Sequence, residues 1–382
     1  MMLSLALTRL TAACTSDLDC SLNGVCADTS ACACDNGWRG IECELLSLSP
    51  APPGGAYGYP STAPREPNIS SWGAHVVKIA SDTVHPYHMF VSELWGGCGI
   101  SESWQRNSHV VHAVAATPLG PFTYVDTSLP PEATCMHMAQ VPTNGSKRLV
   151  MWHQGRSGDG KGALVNCSGT SMKVHEVWRP VPQHKVHSSP SGDPAGPWVA
   201  GGAPMPPGII CNNPSGVALP NGTFAVLCHG PGLRLWLDTN MTSGVRFIMQ
   251  AMGGPRPHTV WEDPSAWLDK RGHWHLLSHV YPTNTSHWSE YADIVSGHGF
   301  SIDGVKWTWH PTPPYTADVT DTSGRTRHFA TRERPFLLLS DDAERRPLAL
   351  YTAVTLPGHA KQNWTKDGGD YSFTHVQPVR SS

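Results

Sequence analysis

Trp261–Tyr281 reads WEDPSAWLDKRGHWHLLSHVY. An acidic pair and a proline open it. An apolar run over 265–268, a polar turn over 269–272 and an alternating run over 273–278 follow. Two short apolar segments joined by a tight Gly-containing turn predict a β-hairpin. Glu262 and Asp263 then lie where its first strand begins, at one end of a sheet. The stretch has echoes. CNNPSGVALPNGTFAVLCHG (Cys211–Gly230) repeats the proline, the apolar run and an Asn-Gly turn. RERPFLLLSDDAERRPLALYTAV (Arg332–Val354) places two apolar runs around a charged turn. WGAHVVKIASDTVHPYHMFVSE (Trp72–Glu93) and CMHMAQVPTNGSKRLVMWHQG (Cys135–Gly155) are weaker copies. Hairpins recurring every ~50–75 residues, without helical periodicity between them, predict an all-β, five-bladed propeller. A β-sandwich is the alternative. In a propeller each first strand lines the axis, so the residues ahead of each proline meet in one funnel.

Composition narrows the class. In 382 residues, 37 Gly, 34 Pro and 15 Trp fit a turn-rich, tryptophan-rich β domain. A formal charge of −3 with no basic patch excludes nucleic acid as a partner. The 21 histidines read as surface composition, so exposed ones would make the molecule cationic below about pH 6. Eleven cysteines and seven Asn-X-Ser/Thr sequons, at Asn68, Asn144, Asn166, Asn221, Asn240, Asn284 and Asn363, predict a secreted, disulfide-bonded glycoprotein. Residues 1–13 (MMLSLALTRLTAA) are short for a leader and interrupted by Arg9, and read as the tail of a truncated signal segment. No stretch approaches the roughly 18 apolar residues of a membrane span.

Residues 14–43 hold six cysteines in CTSDLDCSLNGVCADTSACACDNGWRGIEC. So small a segment cannot build a hydrophobic core, and disulfides must hold it. Spacing alone leaves 15 connectivities open. The C-x-C at Cys32–Cys34 and the Gly-Trp-x-Gly before Cys43 resemble an EGF-like module. That resemblance implies the pairs Cys14–Cys26, Cys20–Cys32 and Cys34–Cys43. Thr11-Ala12-Ala13 lacks the acidic residues of the calcium-binding subtype, so no calcium is expected. The module reads as a spacer or adhesion unit with a cell-surface or matrix partner. Residues 44–67, rich in Pro, Gly and Ser, read as a stiff linker, and residues 68–382 as the propeller. Among the five other cysteines, Cys98–Cys135 and Cys167–Cys211 are the expected pairs, which leaves Cys228 free.

Ala-Thr-Pro-Leu-Gly-Pro-Phe at 116–122, Ser-x-Asp-Gly-x-x-Trp-Thr at 301–308 and the Glu-Asp-Pro and Glu-Arg-Pro starts resemble the five-bladed propellers of glycoside hydrolase family 43 and related furanosidases, over about 72–354. The resemblance implies an inverting hydrolase of arabinosides or xylosides. Its base Asp lies on the first blade, a modulating Asp precedes a proline, and an acid Glu stands two places before a proline. Glu333 and Glu262 both match the acid and Asp263 the modulator. The base does not carry over, since the chain has Trp72-Gly73-Ala74 on the first hairpin and Asn212-Asn213-Pro214 on the third.

Two readings follow. In one, the catalytic set has moved around the funnel, with Glu333 as acid and Asp263 as base or modulator. Glu262, Asn213 and His137 then bind sugar hydroxyls, and Trp72, Trp95, Trp261 and Trp288 offer aromatic platforms. In the other, the funnel has lost its base and is a carbohydrate-binding or adhesion propeller. The carboxylates could also serve structure alone, paired with Arg332 or Arg334. His273 and His275 share a strand face but no third ligand accompanies them, so no metal is expected. No phosphate loop in a strand-to-helix context and no Gly-x-Ser-x-Gly elbow is present, which excludes nucleotide and serine-hydrolase chemistry and leaves no cofactor. A monomer acting on a poly- or oligosaccharide is the expectation.

Overall fold

The computed structural model describes residues 13–58, 69–96, 98–100, 104, 107–131, 133–143, 146–155, 184–201, 212–220, 224–229, 233–238, 246–250, 255–284, 286, 295–357 and 371–381. These are nearly all β. Four antiparallel four-stranded sheets follow one another along the chain. Blade 1 comprises Ser71–Lys78, Tyr87–Leu94, Ser108–Ala115 and Thr123–Leu129. Blade 2 comprises Ala133–Thr143, Ser146–Gly155, His184–Ser189 and Val199–Gly201. Blade 3 is Asn212–Ala218, Phe224–His229, Leu233–Asp238 and Arg246–Gln250. Blade 4 is Thr259–Leu268, Trp274–Pro282, Ser296–Ser301 and Thr308–Trp309.

The fifth sheet takes Thr331–Leu339, Pro347–Thr355 and Ser372–Pro378 from the C-terminal part and Tyr57–Gly58 from the N-terminal part. The five first strands adjoin in cyclic order, blade 5 meeting blade 1, so the sheets stand in a closed propeller ring.

The segment expected as a linker therefore belongs to the propeller over its described part. Tyr57 pairs with Thr374 and Gly58 with Phe373. Leu48 and Ala51 bridge to Val379 and Asp321. The Tyr57 hydroxyl donates to Glu93 Oε2 at 2.7 Å, so the closing strand grips blade 1 as well as blade 5. One sheet thus combines strands from the N-terminal and C-terminal parts, with Tyr57–Gly58 as its outermost strand.

Each blade packs on neighbours through both faces. The strand from Trp274 to Leu277 is accordingly buried at every position, rather than alternating as a one-faced sheet would. The turn before it forms as read. Asp269 Oδ1 accepts the N–H groups of Arg271 and His273 at 2.8 and 2.7 Å, and Gly272 takes a φ of 81°.

The EGF-like module has the three expected disulfides, Cys14–Cys26, Cys20–Cys32 and Cys34–Cys43. It is not a free spacer. Trp38 lies 5.1 Å from the His298 ring, and the module shares a core with Trp267, Leu277 and Leu350. Asp35 accepts from Arg271, and Lys270 stands 3.2 Å from the same carboxylate. Cys98 and Cys228 are both disulfide-bonded, which corrects the free thiol expected at Cys228. The side chains of Cys135, Cys167 and Cys211 lie outside the described residues, as do the sequons other than Asn284.

Candidate functional site

The residue pairing along the first two strands breaks at one equivalent place in every blade: Trp72/Ala74, Thr134/His137, Asn212/Ser215, Glu262/Ser265 and Glu333/Phe336. At four of these bulges the extra residue is left-handed: Gly73 at φ 68°, Asn213 at 47°, Asp263 at 53° and Arg334 at 48°. Proline follows three of them, as Pro214, Pro264 and Pro335. Having no N–H, proline is tolerated where the ladder is already broken. The recurring proline thus marks a bulge, a device that re-aims side chains.

At the level of the bulges, the first two strands of each blade present one pair of residues: Trp72/Ser92, Thr134/Gln154, Asn212/His229, Glu262/His279 and Glu333/Ala353. Blades 3 to 5 form a polar arc. Gln154 Nε2 donates to Asn212 Oδ1 at 3.0 Å, joining blade 2 to it. His279 Nδ1 lies 3.4 Å from Glu262 Oε1 and 3.7 Å from Glu333 Oε2, between the two glutamates. Arg334 Nη1 donates to Asp263 Oδ1 at 2.9 Å.

The three carboxylates differ in exposure. The Glu262 side chain is 26% exposed, against 4% for Glu333 and 5% for Asp263. Glu262 is the one most open to solvent. Burial, reinforced by Glu262 and Glu333 and opposed by Arg334, pushes the Asp263 carboxyl up to about 6. His279 is raised, because the glutamates outweigh its burial. Tyr281 is raised by burial and by the same carboxylates. One oxygen from each of Glu262, Asp263 and Glu333 and one His279 nitrogen all lie within 4.8 Å of one another. Such a set could also surround a hard cation.

The other expected site residues are placed differently. Trp72 and Trp261 are buried at 6% and 4%; Trp72 packs on Leu94 and Ala353, Trp261 on Trp309 and His229. Both fill the space between blades, where a sugar has no open ring face to stack on. Trp288 lies outside the described residues. His137 is 4% exposed, with Nδ1 accepting from the Gly216 N–H at 3.3 Å. Its ring centroid lies 4.0 Å from that of His75 and 6.5 Å from that of Phe336, just past the bulges. A cavity of about 520 Å³ opens on the side of these rings away from the bulges, lined by Val76, Val217, Ala266 and Leu338 and by His137 and Phe336 themselves. Asn213 is partly buried at its bulge. Arg332 turns away from the carboxylates: it is 1% exposed, lies over the Tyr315 ring and donates to Thr316 O at 2.8 Å. Glu93 is tied to Tyr57 and to His109 Nε2 at 3.1 Å.

Sequence reasoning missed His279 and His229. Counting back from the Asp269–Gly272 turn without a bulge puts Val280 opposite Glu262. Only the one-residue shift at Asp263 brings His279 there.

Residues 16–45 match the family model of the teneurin-like EGF domain. A thermostable family 43 glycoside hydrolase superposes with a TM-score of 0.51 at 10% identity, covering 84% of this chain and 92% of the other. The chain is an EGF-like module followed by a propeller resembling those of glycoside hydrolase family 43. A family 117 glycoside hydrolase of the marine bacterium Zobellia galactanivorans gives 0.49 at 10% identity, covering 91% and 92%. A family 43 β-xylosidase/α-arabinofuranosidase from a compost metagenome gives 0.49 at 10%, covering 88% and 97%. No curated protein matches the chain. At such identities the likeness is one of fold, and chemistry rests on the site.

Proposed function

We propose that the funnel binds a glycan and hydrolyses one of its glycosidic bonds. The observation that carries this reading is the Glu262–His279–Glu333 arrangement on the polar arc, half-open at Glu262. Glu262 is the proton donor to the leaving oxygen. Glu333 is the second carboxylate, facing the positive charge that develops at the anomeric carbon. His279, whose protonated form both glutamates favour, lies between them and orients them. Asp263 serves as a buried modulator fixed by Arg334, not as a free base.

One oxygen of each carboxylate lies within 4.8 Å of the others, which suits the ~5–5.5 Å carboxyl separation of a retaining pair better than the ~6.5–9.5 Å of an inverting one. The spacing favours a double displacement with retention over the inversion that the family resemblance implies. Glu262→Gln and Glu333→Gln, assayed separately on aryl arabinosides and xylosides, should each lower kcat by ~10²-fold or more. Glycan binding should survive in both, and the first product anomer seen by NMR should have retained configuration. Full turnover in either variant would remove that residue from the chemistry.

One observation favours a second reading, binding without turnover. Gly73 stands where the resemblance expects the base, and Arg334 fills the space beside it: a Cβ at Gly73 would lie 2.9 Å from Arg334 Nε. A wild-type protein that binds the glycans calorimetrically and turns over none of them would establish that reading. The three disulfides suit an oxidising compartment, in keeping with secretion. No helix among the described residues is long and apolar enough to cross a membrane. Leu18, Val25 and Ile41, 40–48% exposed on the EGF-like module, are the side chains it offers to a cell-surface or matrix partner.

A further inference from the structure

Ser71–Lys78 enters blade 1 from the funnel face, so its antiparallel neighbour Tyr87–Leu94 returns to that face and ends there. The next residue is Trp95, 46% exposed. It is the one aromatic among the large apolar side chains left in water in the described residues. A lone exposed apolar group needs no explanation. This one, however, sits on a backbone that is fixed from several sides. The Trp95 N–H donates to Asn107 O at 3.0 Å, and Asn107 Nδ2 donates back to Trp95 O at 2.7 Å. Asn107 is itself fully buried. Three residues on, Cys98 is buried and disulfide-bonded, and Asn107 Nδ2 reaches its sulfur at 3.4 Å. The chain therefore fixes the Trp95 backbone at the funnel mouth while leaving nearly half of the residue in water.

We infer that Trp95 is a stacking platform for a sugar ring at the mouth of the funnel, and that the ligand is an oligosaccharide rather than a single sugar. The inference rests on the glycan reading of the funnel and extends it. Ser92 is opposite Trp72, at the level of Glu262/His279 and Glu333/Ala353. Trp95 lies three residues further out, about 10 Å along the strand. A sugar in contact with Glu262 cannot also cover Trp95, so the ring that stacks there belongs to a further unit of the same chain. The electron-rich indole face suits the C–H face of a sugar ring, and its rigid backbone keeps the ordering cost of stacking low. Trp72 and Trp261, buried between blades, cannot take this role.

The test is calorimetric titration of the full-length protein and its Trp95→Ala and Trp95→Phe variants with xylotetraose and arabinotetraose, and with the corresponding monosaccharide aryl glycosides. Trp95→Ala should weaken the tetraose that the wild type binds by at least tenfold, and Trp95→Phe should restore most of the affinity. The aryl glycoside should change by less than twofold, and the indole emission shift on adding tetraose should be lost in Trp95→Ala. Tetraose binding that is equal in wild type and Trp95→Ala overturns the platform and leaves the glycan reading standing. Binding of neither tetraose nor aryl glycoside by the wild type overturns both.

Discussion

Asp263 is a carboxylate held almost out of water with two glutamates near it, and Arg334 is the neighbour that makes this tolerable. Taking one partner from a buried ion pair leaves an uncompensated charge and costs ~3–5 kcal/mol. The Asp263 carboxyl has a way out, since at about 6 it already lies close to neutral pH. Arg334→Ala should raise it further, so that the group folds protonated and the penalty falls to about 2–3 kcal/mol at pH 7. Denaturant unfolding of Arg334→Ala at pH 7 and pH 5 checks this, the loss being smaller at pH 5. An equal loss at both values would mean that Arg334 acts through packing. These residues were legible only in part. Glu-Asp-Pro and Glu-Arg-Pro gave away the acids, but nothing in the letters says that Arg334 reaches Asp263 while Arg332, two places earlier, turns to Tyr315.

The inner-strand bulge is the element that makes the site. Where three blades spend it on Asn213, Asp263 and Arg334, blade 1 spends it on a glycine at φ 68° whose empty side is filled by Arg334. Gly73→Ala meets two costs: a left-handed alanine, about 1–2 kcal/mol, and a methyl group 2.9–3.1 Å from Arg334. We expect a loss of about 2–3 kcal/mol in thermal or urea unfolding. In an Arg334→Ala background only the backbone part should remain, so the two substitutions should couple by about 1 kcal/mol in a double-mutant cycle. Strict additivity would show that the arginine yields without cost. The hairpins were readable because turn residues and apolar runs act locally. The partners across each hairpin were not, because one inserted residue at the bulge moves every earlier position to a new neighbour. The two-residue strand Tyr57–Gly58 was unreadable for another reason: it lies inside a Pro- and Gly-rich run that carries no periodicity, and its pairing partner is more than 300 positions away.

Over the whole molecule, the histidines that composition suggested were a surface feature prove to be a core feature. Among the described residues eleven are buried, including His75, His137, His298 and His375. Three pairs join neighbouring second and third strands: His88–His112 and His153–His187 at 2.9 Å, and His275–His298 at 3.1 Å. Such a nitrogen-to-nitrogen bond exists only while one ring is neutral. Burial lowers eight histidines, the farthest printed being His137 and His375 at about 3 and His88 at about 4. In the unfolded chain the same rings take up protons below about pH 6.5. Between that value and the folded one, unfolding binds protons, and each ring contributes stability that is present above about 6.5 and lost at up to ~1.4 kcal/mol per unit as pH falls. Asp263 acts in the opposite sense. Raised to about 6, it holds a proton in the fold that the unfolded chain sheds, so its contribution is lost as pH rises between about 4 and 6. His279, also raised, acts in the same sense as Asp263, with its contribution lost as pH rises through its folded value. Two groups set against eight do not decide the sign. Three rings losing one unit each already amount to about 4 kcal/mol, a large part of the ~5–15 kcal/mol that keeps a domain folded. Stability measured by urea unfolding should therefore be flat above about pH 7, drop by ~3 kcal/mol or more by pH 5, and show net proton uptake on unfolding. A protein as stable at pH 5 as at pH 7 would mean that these rings carry their charge inside the fold.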